Sequence, residues 1–323
     1  EKDEATELRL AALLHDIGHY PYSHLMERVS RVSLTEDEVE SKTKRTISGV
    51  MDENPDHEEL GRSIIEEQAD LRAALGGKPR AKRIGALFSR LEGSNQQLSK
   101  LIHSSLDMDR MDYLLRDARA AGVPYGEIDL KYLLNSIRKS PKGMLGVDEK
   151  ALAAAEHFLL ARVFMHRVVY YHKTTYGFEE ACRQLLRRMR DCKRYDSLLA
   201  KDGTAVRSIV CGRELRGFTD DYVDRAILGA TRDEEPVIAA LANCLTNRRP
   251  PRLLVEVGGI VDRAETYSPG AVFKQRCREK LEPLAKKHSV PLGQFLLCGP
   301  KPIKFEERGS LFNRGDAENL QPE

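Results

Sequence analysis

Residues 13–27 read LLHDIGHYPYSHLME and hold three of the nine histidines of the chain within ten positions. His15 and Asp16 follow an apolar helical run, which predicts an imidazole and a carboxylate at the end of a largely buried helix, with His19 one turn later. Burying a carboxylate beside imidazoles is costly, whereas a divalent cation satisfies all of these groups together. The stretch therefore predicts a metal site. The alternative is a set of solvated or structurally hydrogen-bonded histidines.

A second polar cluster occupies Ser105–Asp117, which reads SLDMDRMDYLLRD. Asp109, Tyr113 and Asp117 are spaced i, i+4, i+8 and form one stripe on a predicted helix. A polar stripe beside an apolar one is ordinary amphipathicity. A solvated face with Asp/Arg pairs is therefore the alternative to a ligand site.

A third cluster lies in residues 158–171, which read FLLARVFMHRVVYY. Arg162, His166 and Tyr170 have the same i, i+4, i+8 spacing, but here the polar stripe crosses a strongly apolar helix. A cation, an imidazole and a phenol in such surroundings suit a phosphate and a nucleoside better than bulk water. A buried structural network remains the alternative.

The composition narrows the class of protein. The chain has 323 residues and is nearly neutral, with Lys+Arg 52 against Asp+Glu 50, and 41% of its residues are hydrophobic, which is enough for a sizeable core. No apolar run approaches the ~20 residues of a membrane span. Six cysteines are scattered without a CxxC motif, which favours reduced thiols. We expect a soluble cytoplasmic protein without membrane contact.

Helical spacing of apolar residues predicts a mainly α fold with a minor β component. The predicted helices include 98–120, 149–171 and 178–199, and the predicted β segments are a hairpin over 135–147 and strands at 253–257, 294–297 and 301–305. The expected organisation is a core over residues 1–175, a helical extension over 176–250 and a small α+β region over 251–323.

The three clusters, in this order, resemble the HD superfamily of metal-dependent phosphohydrolases, and within it the deoxynucleoside triphosphate triphosphohydrolase branch. The strings that carry the resemblance are HD-x-G-H-x-P-x-S-H at His15–His24, His57-Glu58, D-x-D-R-x-D-Y-x-x-R-D at Asp107–Asp117, and R-x-x-x-H-x-x-x-Y-x-H-K at Arg162–Lys173. Together they run over roughly residues 8–175. The resemblance implies an HD helical bundle extended by further helices, with a small α+β C-terminal part.

The resemblance also implies roles for individual residues. It assigns His15, Asp16 and Asp109 as metal ligands, and the ion as Mn, Mg, Fe or Zn without distinguishing among them. The expected catalytic residues around the scissile phosphate are His19, His24, His57 and Glu27, the last at a position where the family can carry Asp. The expected substrate-binding residues are Arg110, Tyr113, Asp117, Arg162, His166 and Tyr170. The family's fourth ligand is a histidine upstream of the HD pair and is not in this sequence, so we expect either that a part of the protein preceding Glu1 carries it or that another group completes the site.

The activity that the resemblance implies is hydrolysis of deoxynucleoside triphosphates to deoxynucleoside and inorganic triphosphate. A metal-bound water would attack the α-phosphorus. Because the metal core alone does not fix which P–O bond breaks, a phosphodiesterase or 5′-nucleotidase acting on another nucleotide stays open. So does a non-catalytic nucleotide-sensing module.

Two basic stretches, Arg183–Arg194 and Asn247–Arg252, raise the question of further partners. A solvated helix face is the default interpretation. The resemblance implies a homo-oligomer and a nucleotide effector bound between subunits. Nucleic acid is not an expected partner, because Trp is absent and aromatic residues make up only 6% of the chain. His103 and His288 are expected to be structural or surface residues.

Overall fold

A computed structural model of the chain describes residues 2–31, 55–89, 96–140, 144–200, 202–212, 214–254, 269–289, 296 and 312–313. The helices in these ranges are α1 (Lys2–Leu14), α2 (His24–Arg31), α3 (His57–Glu67), α4 (Ala69–Ala74), α5 (Lys78–Phe88), α6 (Gln96–Ser99), α7 (Met108–Ala121), α8 (Leu130–Asn135), α9 (Leu152–Met165), α10 (Lys173–Arg190), α11 (Gly203–Cys211), α12 (Asp220–Gly229), α13 (Pro236–Thr246) and α14 (Pro269–His288). The strands are β1 (Ile137–Lys139), β2 (Leu145–Asp148) and β3 (Phe312–Asn313). The expected mainly α fold is confirmed.

The chain forms two compact units. The first contains the described residues of Glu1–Gly18, Glu58–His172 and Pro302–Glu323, and the second contains those of His19–His57 and Lys173–Lys301. The expected three-part division stays a prediction. Within the part that the structure describes, no helix has both the length and the apolar character needed to cross a lipid bilayer.

The helix predicted over residues 98–120 is interrupted, because Asp107 caps a new helix. The Asp107 carboxylate accepts hydrogen bonds from the backbone N–H of Arg110 at 2.7 Å and of Ser104 at 2.8 Å. A side chain that satisfies an otherwise unpaired N–H at a helix start fixes where that helix begins. α7 accordingly starts at Met108, and it ends at Ala121 because the next residue, Gly122, has a φ of 66°, in the left-handed region that terminates helices.

The core of the first unit has two apolar clusters. One lies between α1, α3 and α5, and includes Ala11, Ile65, Ile84 and Phe88. The other lies between α7 and α9, with Met111, Leu114, Phe158 and Met165 buried in it. Beside this second cluster, a Cβ at Gly126 would come 2.4 Å from the carbonyl oxygen of Leu114, so the short turn Pro124–Gly126 can approach α7 closely only with glycine there.

The small sheet has the order β1-β2-β3. β1 and β2 are antiparallel, as expected for the hairpin over 135–147, and β2 pairs in parallel with β3. Leu253 and Leu254 have no regular secondary structure. The remaining residues of the predicted strands at 253–257, 294–297 and 301–305 lie outside the described residues, apart from Leu296, which is in no strand.

The second unit is organised around α10, which contacts α2 and α13. Leu185, Leu186 and Met189 of α10 are buried, as are Met26 of α2 and Leu241 of α13. α10 ends at Arg190, and the rest of the helix predicted over 178–199 contains a short 3-10 turn at Lys193–Tyr195.

Phe158 provides a test of the core between α7 and α9. Its side chain is 0% exposed, whereas Leu160 on the same helix is 55% exposed. We expect Phe158→Ala to lower the free energy of unfolding by about 3–5 kcal/mol, because it leaves a cavity. Leu160→Ala is the matched control and should change it by less than about 0.5 kcal/mol. Denaturant unfolding measures both, and equal losses would contradict this packing.

Candidate functional site

The first candidate site joins the end of α1 to the first turn of α7. α1 ends at Leu14, so His15 and Asp16 lie in the turn that follows it, while Asp109 is in the first turn of α7. Nε2 of His15 is 3.2 Å from Oδ1 of Asp16 and 3.6 Å from Oδ1 of Asp109. One ligand atom from each of the three residues lies within 4.8 Å of the other two. The predicted metal-ligand set is thus brought together.

These residues fit a divalent cation. Nε2 of His15 is buried and makes no hydrogen bond, although two carboxylate oxygens lie near it. Interaction with the Asp109 carboxylate, aided by Asp16, outweighs burial and raises the pKa of His15 to about 9. Two carboxylates that favour a positive charge beside a buried, unsatisfied nitrogen match the donor set of a divalent ion.

His103 is a neighbour of this site that sequence reasoning missed. Its ring lies edge-on to that of His15, with 6.1 Å between the ring centroids, and its Nδ1 is 3.8 Å from Oε1 of Glu58. One feature of the sequence indicates this position: His103 lies only six residues before the candidate ligand Asp109. His103 therefore lies beside the candidate metal ligand His15, and Glu58 lies next to His103.

A separate group, called here the three-histidine cluster, brings together the predicted catalytic residues His19, His24 and His57. The ring centroids of His19 and His57 are 4.4 Å apart with nearly parallel planes, and His24 lies 5.0 Å from each of them, edge-on. The buried Glu27 lies beside two of the rings: its Oε2 is 3.0 Å from Nδ1 of His24 and 3.3 Å from Nδ1 of His57. Burial raises the pKa of Glu27, but the hydrogen bond from His24 and the contact with His57 lower it well below its usual value.

His19 belongs to this cluster and not to the group formed by His15. The prediction that His19 lies one helical turn after His15 was wrong, because the helix stops at Leu14 and the chain turns. Nδ1 of His19 is 3.0 Å from Oγ of Ser23. The histidines at 19, 24 and 57 each offer a ligand atom within 4.8 Å of the others.

The turn between His19 and His24 is strained and anchored. Tyr22 and Ser23 have φ values of 55° and 53°, in the left-handed region that non-glycine residues rarely adopt. Two carboxylates of α12 hold Tyr22: Oδ1 of Asp220 accepts its backbone N–H at 2.8 Å, and Asp224 accepts its hydroxyl. These bonds offset the strain and fix the direction in which the chain enters α2.

The polar stripe of α7 faces a residue from the third cluster. The hydroxyl of Tyr170 donates to Oδ2 of Asp117 at 2.7 Å, and the rings of Tyr113 and Tyr170 meet edge-on with centroids 6.2 Å apart. Burial is the largest cause of the raised pKa of Tyr113. The second and third clusters therefore form one connected network.

The third cluster is not on a single α-helix. α9 ends at Met165, and His166–Tyr170 form a π-helical turn, a feature frequent at functional sites. Nδ1 of His166 is buried and makes no hydrogen bond. Burial, followed by the positive charges of Arg162 and Arg110, lowers the pKa of His166 to about 4. A neutral imidazole thus lies in a positive field.

The guanidinium of Arg110 already makes hydrogen bonds within the protein. Its Nη1 donates to the carbonyl oxygen of Ser104 at 2.7 Å and to the Asp107 carboxylate. Its Nε is buried and makes no hydrogen bond. A phosphate could therefore meet the remaining nitrogens of a guanidinium that Asp107 has already oriented.

Several arginines of the basic stretch Arg183–Arg194 are engaged within the second unit. Arg183 is buried against Glu180, Arg188 lies 3.5 Å from Glu235, and Arg194 pairs with Asp233. Arg190 donates to the carbonyl oxygen of Val29. The nucleotide effector that the resemblance implies stays a prediction, and these four side chains already have protein partners.

Two family models match separate stretches of the chain. Residues 1–117 match the family model of the HD domain, and residues 128–225 match that of the HD associated region. An HD domain match followed by an HD-associated match agrees with the expected HD-type helical fold. The candidate metal ligands fall in the first match, whereas Arg162, His166 and Tyr170 fall in the second.

Individual relatives share parts of the chain. It is 33% identical to the uncharacterized protein YwfO of Bacillus subtilis over 58% of its own length and 38% of that protein. It is 35% identical to the uncharacterized protein MJ1154 of Methanocaldococcus jannaschii over 51% of its length and 30% of that protein. The matches thus span well under half of these relatives.

Two solved structures are similar in fold. A phosphohydrolase (BT4208) from Bacteroides thetaiotaomicron superposes with a TM-score of 0.61 at 22% identity, covering 90% of this chain and 67% of that one. A hypothetical protein from Aquifex aeolicus superposes with a TM-score of 0.56 at 24% identity, covering 85% and 63%. At these identities the likeness concerns the fold alone.

The assignment of His15, Asp16 and Asp109 as ligands predicts the behaviour of a paired variant. We expect His15→Ala combined with Asp109→Asn to weaken Mn²⁺ binding at least about 100-fold, since a nitrogen and an oxygen ligand are both lost. The matched control is His157→Ala combined with Asp70→Asn, two exposed residues outside the clusters, which should keep the affinity of the unaltered chain. Isothermal titration calorimetry measures both. Equal Mn²⁺ affinities would reject the assignment.

The low pKa of His166 predicts acid sensitivity. Since the folded chain binds this proton with a pKa of about 4 and an unperturbed histidine has 6.5, the folded state is disfavoured as the pH falls from 6.5 towards 4. NMR titration should show a pKa near 4, raised part of the way to 6.5 by Arg162→Gln, because burial persists when one positive charge is removed. Arg119→Gln, at an exposed position of α7, should leave it unchanged. An unaltered pKa in Arg162→Gln would contradict the positive field.

Proposed function

We propose that the chain hydrolyses deoxynucleoside triphosphates to deoxynucleoside and inorganic triphosphate with the help of a divalent metal ion. The proposal rests on the strings that resemble the deoxynucleoside triphosphate triphosphohydrolase branch, and on the presence of an HD domain with its associated region. The geometry of the two units supplies separate physical support for a phosphohydrolase that acts on a nucleotide.

The observation that carries the proposal is the grouping of His15, Asp16 and Asp109 as a possible metal-ligand set, and a positive field at His166 supports it. Arg162 and Arg110 both lower the pKa of this buried imidazole. A site with two guanidiniums beside a neutral imidazole is favourable for a polyanion. Arg110 follows Asp109 directly in α7, so a residue proposed to hold phosphate is adjacent in sequence to a candidate metal ligand.

The candidate metal ligands suit the chemistry of phosphate ester hydrolysis. A bound divalent ion would lower the pKa of a coordinated water and so supply the nucleophile. His15, Asp16 and Asp109 would hold that ion. The task of Arg110 and Arg162 is then to bind the triphosphate and to stabilise the charge that develops on it.

The three-histidine cluster contains side chains that can donate a proton to the leaving oxygen. Glu27 contacts Nδ1 of both His24 and His57, and a carboxylate in that position fixes the orientation of the two rings. We assign proton donation to His24 or His57 and the orienting role to Glu27. His19, stacked on His57, would contribute a hydrogen bond or positive charge.

The nucleoside would be held by the aromatic residues of the α7 network. Tyr113 and Tyr170 meet edge-on, and the bond from Tyr170 to Asp117 fixes one of the two rings. A half-buried ring against the sugar would exclude bulk at C2′ and so disfavour a ribose hydroxyl. This assigns the preference for deoxyribose to Tyr113.

Product analysis tests the proposal. The chain is incubated with each dNTP and NTP plus Mn²⁺ or Mg²⁺, and the products are separated by ion-exchange chromatography. We expect deoxynucleoside and triphosphate, and a loss of at least about 1,000-fold in turnover for His15→Ala with Asp16→Ala, because the nucleophile is then no longer activated. His157→Ala with Asp70→Asn should turn over normally.

Other products would contradict this activity and indicate a different function. Cleavage of a nucleoside monophosphate or of a phosphodiester, without triphosphate release, would replace the proposal with a nucleotidase or phosphodiesterase. Absence of turnover by a metal-loaded, folded chain would replace it with a nucleotide-sensing module.

A further inference from the structure

The histidines at positions 19, 24 and 57 offer a purely nitrogen ligand set. One ring nitrogen from each lies within 4.8 Å of the others. Zn²⁺ accepts three histidines at 2.0–2.1 Å and keeps a fourth, open position, which in tetrahedral geometry places the nitrogens about 3.4 Å apart. The cluster would therefore need to contract by little more than about 1 Å to hold the ion.

Oxygen atoms around the cluster match the outer shell of a histidine metal site. Nδ1 of His19 lies 3.0 Å from Oγ of Ser23, and Nδ1 of His24 lies 3.0 Å from Oε2 of Glu27. The same Oε2 is 3.3 Å from Nδ1 of His57. Imidazoles that bind metals usually carry such a partner on the nitrogen opposite the ion, which fixes the ring and makes it a stronger ligand, so these contacts on Nδ1 would suit an ion bound through the Nε2 atoms. The carboxylate of Glu27 also supplies negative charge next to the ion.

The two ligand sets differ in chemical preference. His15, Asp16 and Asp109 combine one nitrogen with carboxylate oxygens, which suits Mg²⁺ and Mn²⁺, whereas three imidazoles suit Zn²⁺, Co²⁺ and Ni²⁺. The two sets share no residue. Each can therefore be filled by a different ion.

We propose that His19, His24 and His57 form a second metal site, selective for Zn²⁺, whose occupation inhibits the enzyme. Binding of the ion is independent of any activity. Inhibition rests on the proposed function, because an imidazole bound to zinc can no longer donate a proton to the leaving oxygen. The residues of the first site stay available to Mg²⁺.

Counting the bound zinc ions tests the proposed second metal site in the absence of nucleotide. The chain is stripped with a chelator, supplied with excess Mg²⁺ and titrated with Zn²⁺, and the bound zinc is counted by mass spectrometry. The count is made in His15→Ala with Asp16→Ala, where the first site no longer competes for zinc. We expect one tightly bound Zn²⁺ in that variant, and none when His24→Ala and His57→Ala are added to it. His157→Ala is the matched control and should retain the ion.

Glu27→Gln provides a milder variant if the double alanine variant fails to fold. It keeps the size of the side chain and removes its charge, so we expect the dissociation constant for Zn²⁺ to rise about 10–100-fold. Substituting Co²⁺ adds a spectroscopic readout, since three imidazoles and a water should give the visible absorption of four-coordinate Co²⁺, which His24→Ala with His57→Ala should abolish. Zinc binding that is lost in His15→Ala with Asp16→Ala, or retained when His24→Ala and His57→Ala are added to that variant, would overturn the site.

Inhibition is measured separately, with dNTP hydrolysis in Mg²⁺. We expect activity to fall as the second site fills, at the Zn²⁺ concentrations found by titration. Hydrolysis that persists with the site full would overturn the inhibitory role and leave the site standing. A chain that counts one zinc but hydrolyses no nucleotide would show that the proposed function has failed while the metal site has not.

Discussion

The first unit depends on a carboxylate with no access to water. Asp107 is 0% exposed, and burial raises its pKa. A charge in that position persists only if partners replace the lost hydration, and here they are two backbone N–H groups and the guanidinium of Arg110. The start of α7 follows from these bonds. So does the placement of Asp109 in its first turn, and of Tyr113 and Asp117 one and two turns further along.

Glu27 provides a similar constraint in the second unit. Its carboxylate is buried at the first turn of α2, where it contacts two imidazoles. The chain reaches α2 through two left-handed residues that would not adopt this conformation unaided, and Asp220 and Asp224 hold the first of them. Residues about 200 positions away in sequence thus determine the direction of His24.

The sequence predicted which residues come together better than it predicted the backbone that carries them. The grouping of His15, Asp16 and Asp109 could be expected because residue types and order carry the resemblance, and the mainly helical fold follows from apolar periodicity. The break before Met108 was missed because a helical pattern runs through it, and only the tertiary burial of Asp107 reveals the cap. The π-helical turn at His166–Tyr170 was not predicted for a related reason, because i, i+4 spacing of side chains does not distinguish it from an α-helix. The place of His103 beside His15 depends on contacts between segments that are distant in sequence, which periodicity does not report.

Charge distinguishes the two ligand sets further. With a neutral His15, the carboxylates of Asp16 and Asp109 balance a divalent ion completely, so the loaded site has no net charge and can release an anionic product. Among the contacts of the described residues, Glu27 places a single carboxylate beside His24 and His57, and with that one carboxylate a divalent ion would keep a net positive charge and an open coordination position. Such a site would retain a phosphate anion instead of releasing it. Zinc at the cluster would therefore oppose turnover in two ways, by removing the proton donor and by holding product, and the second effect should persist even when chemistry does not limit the rate.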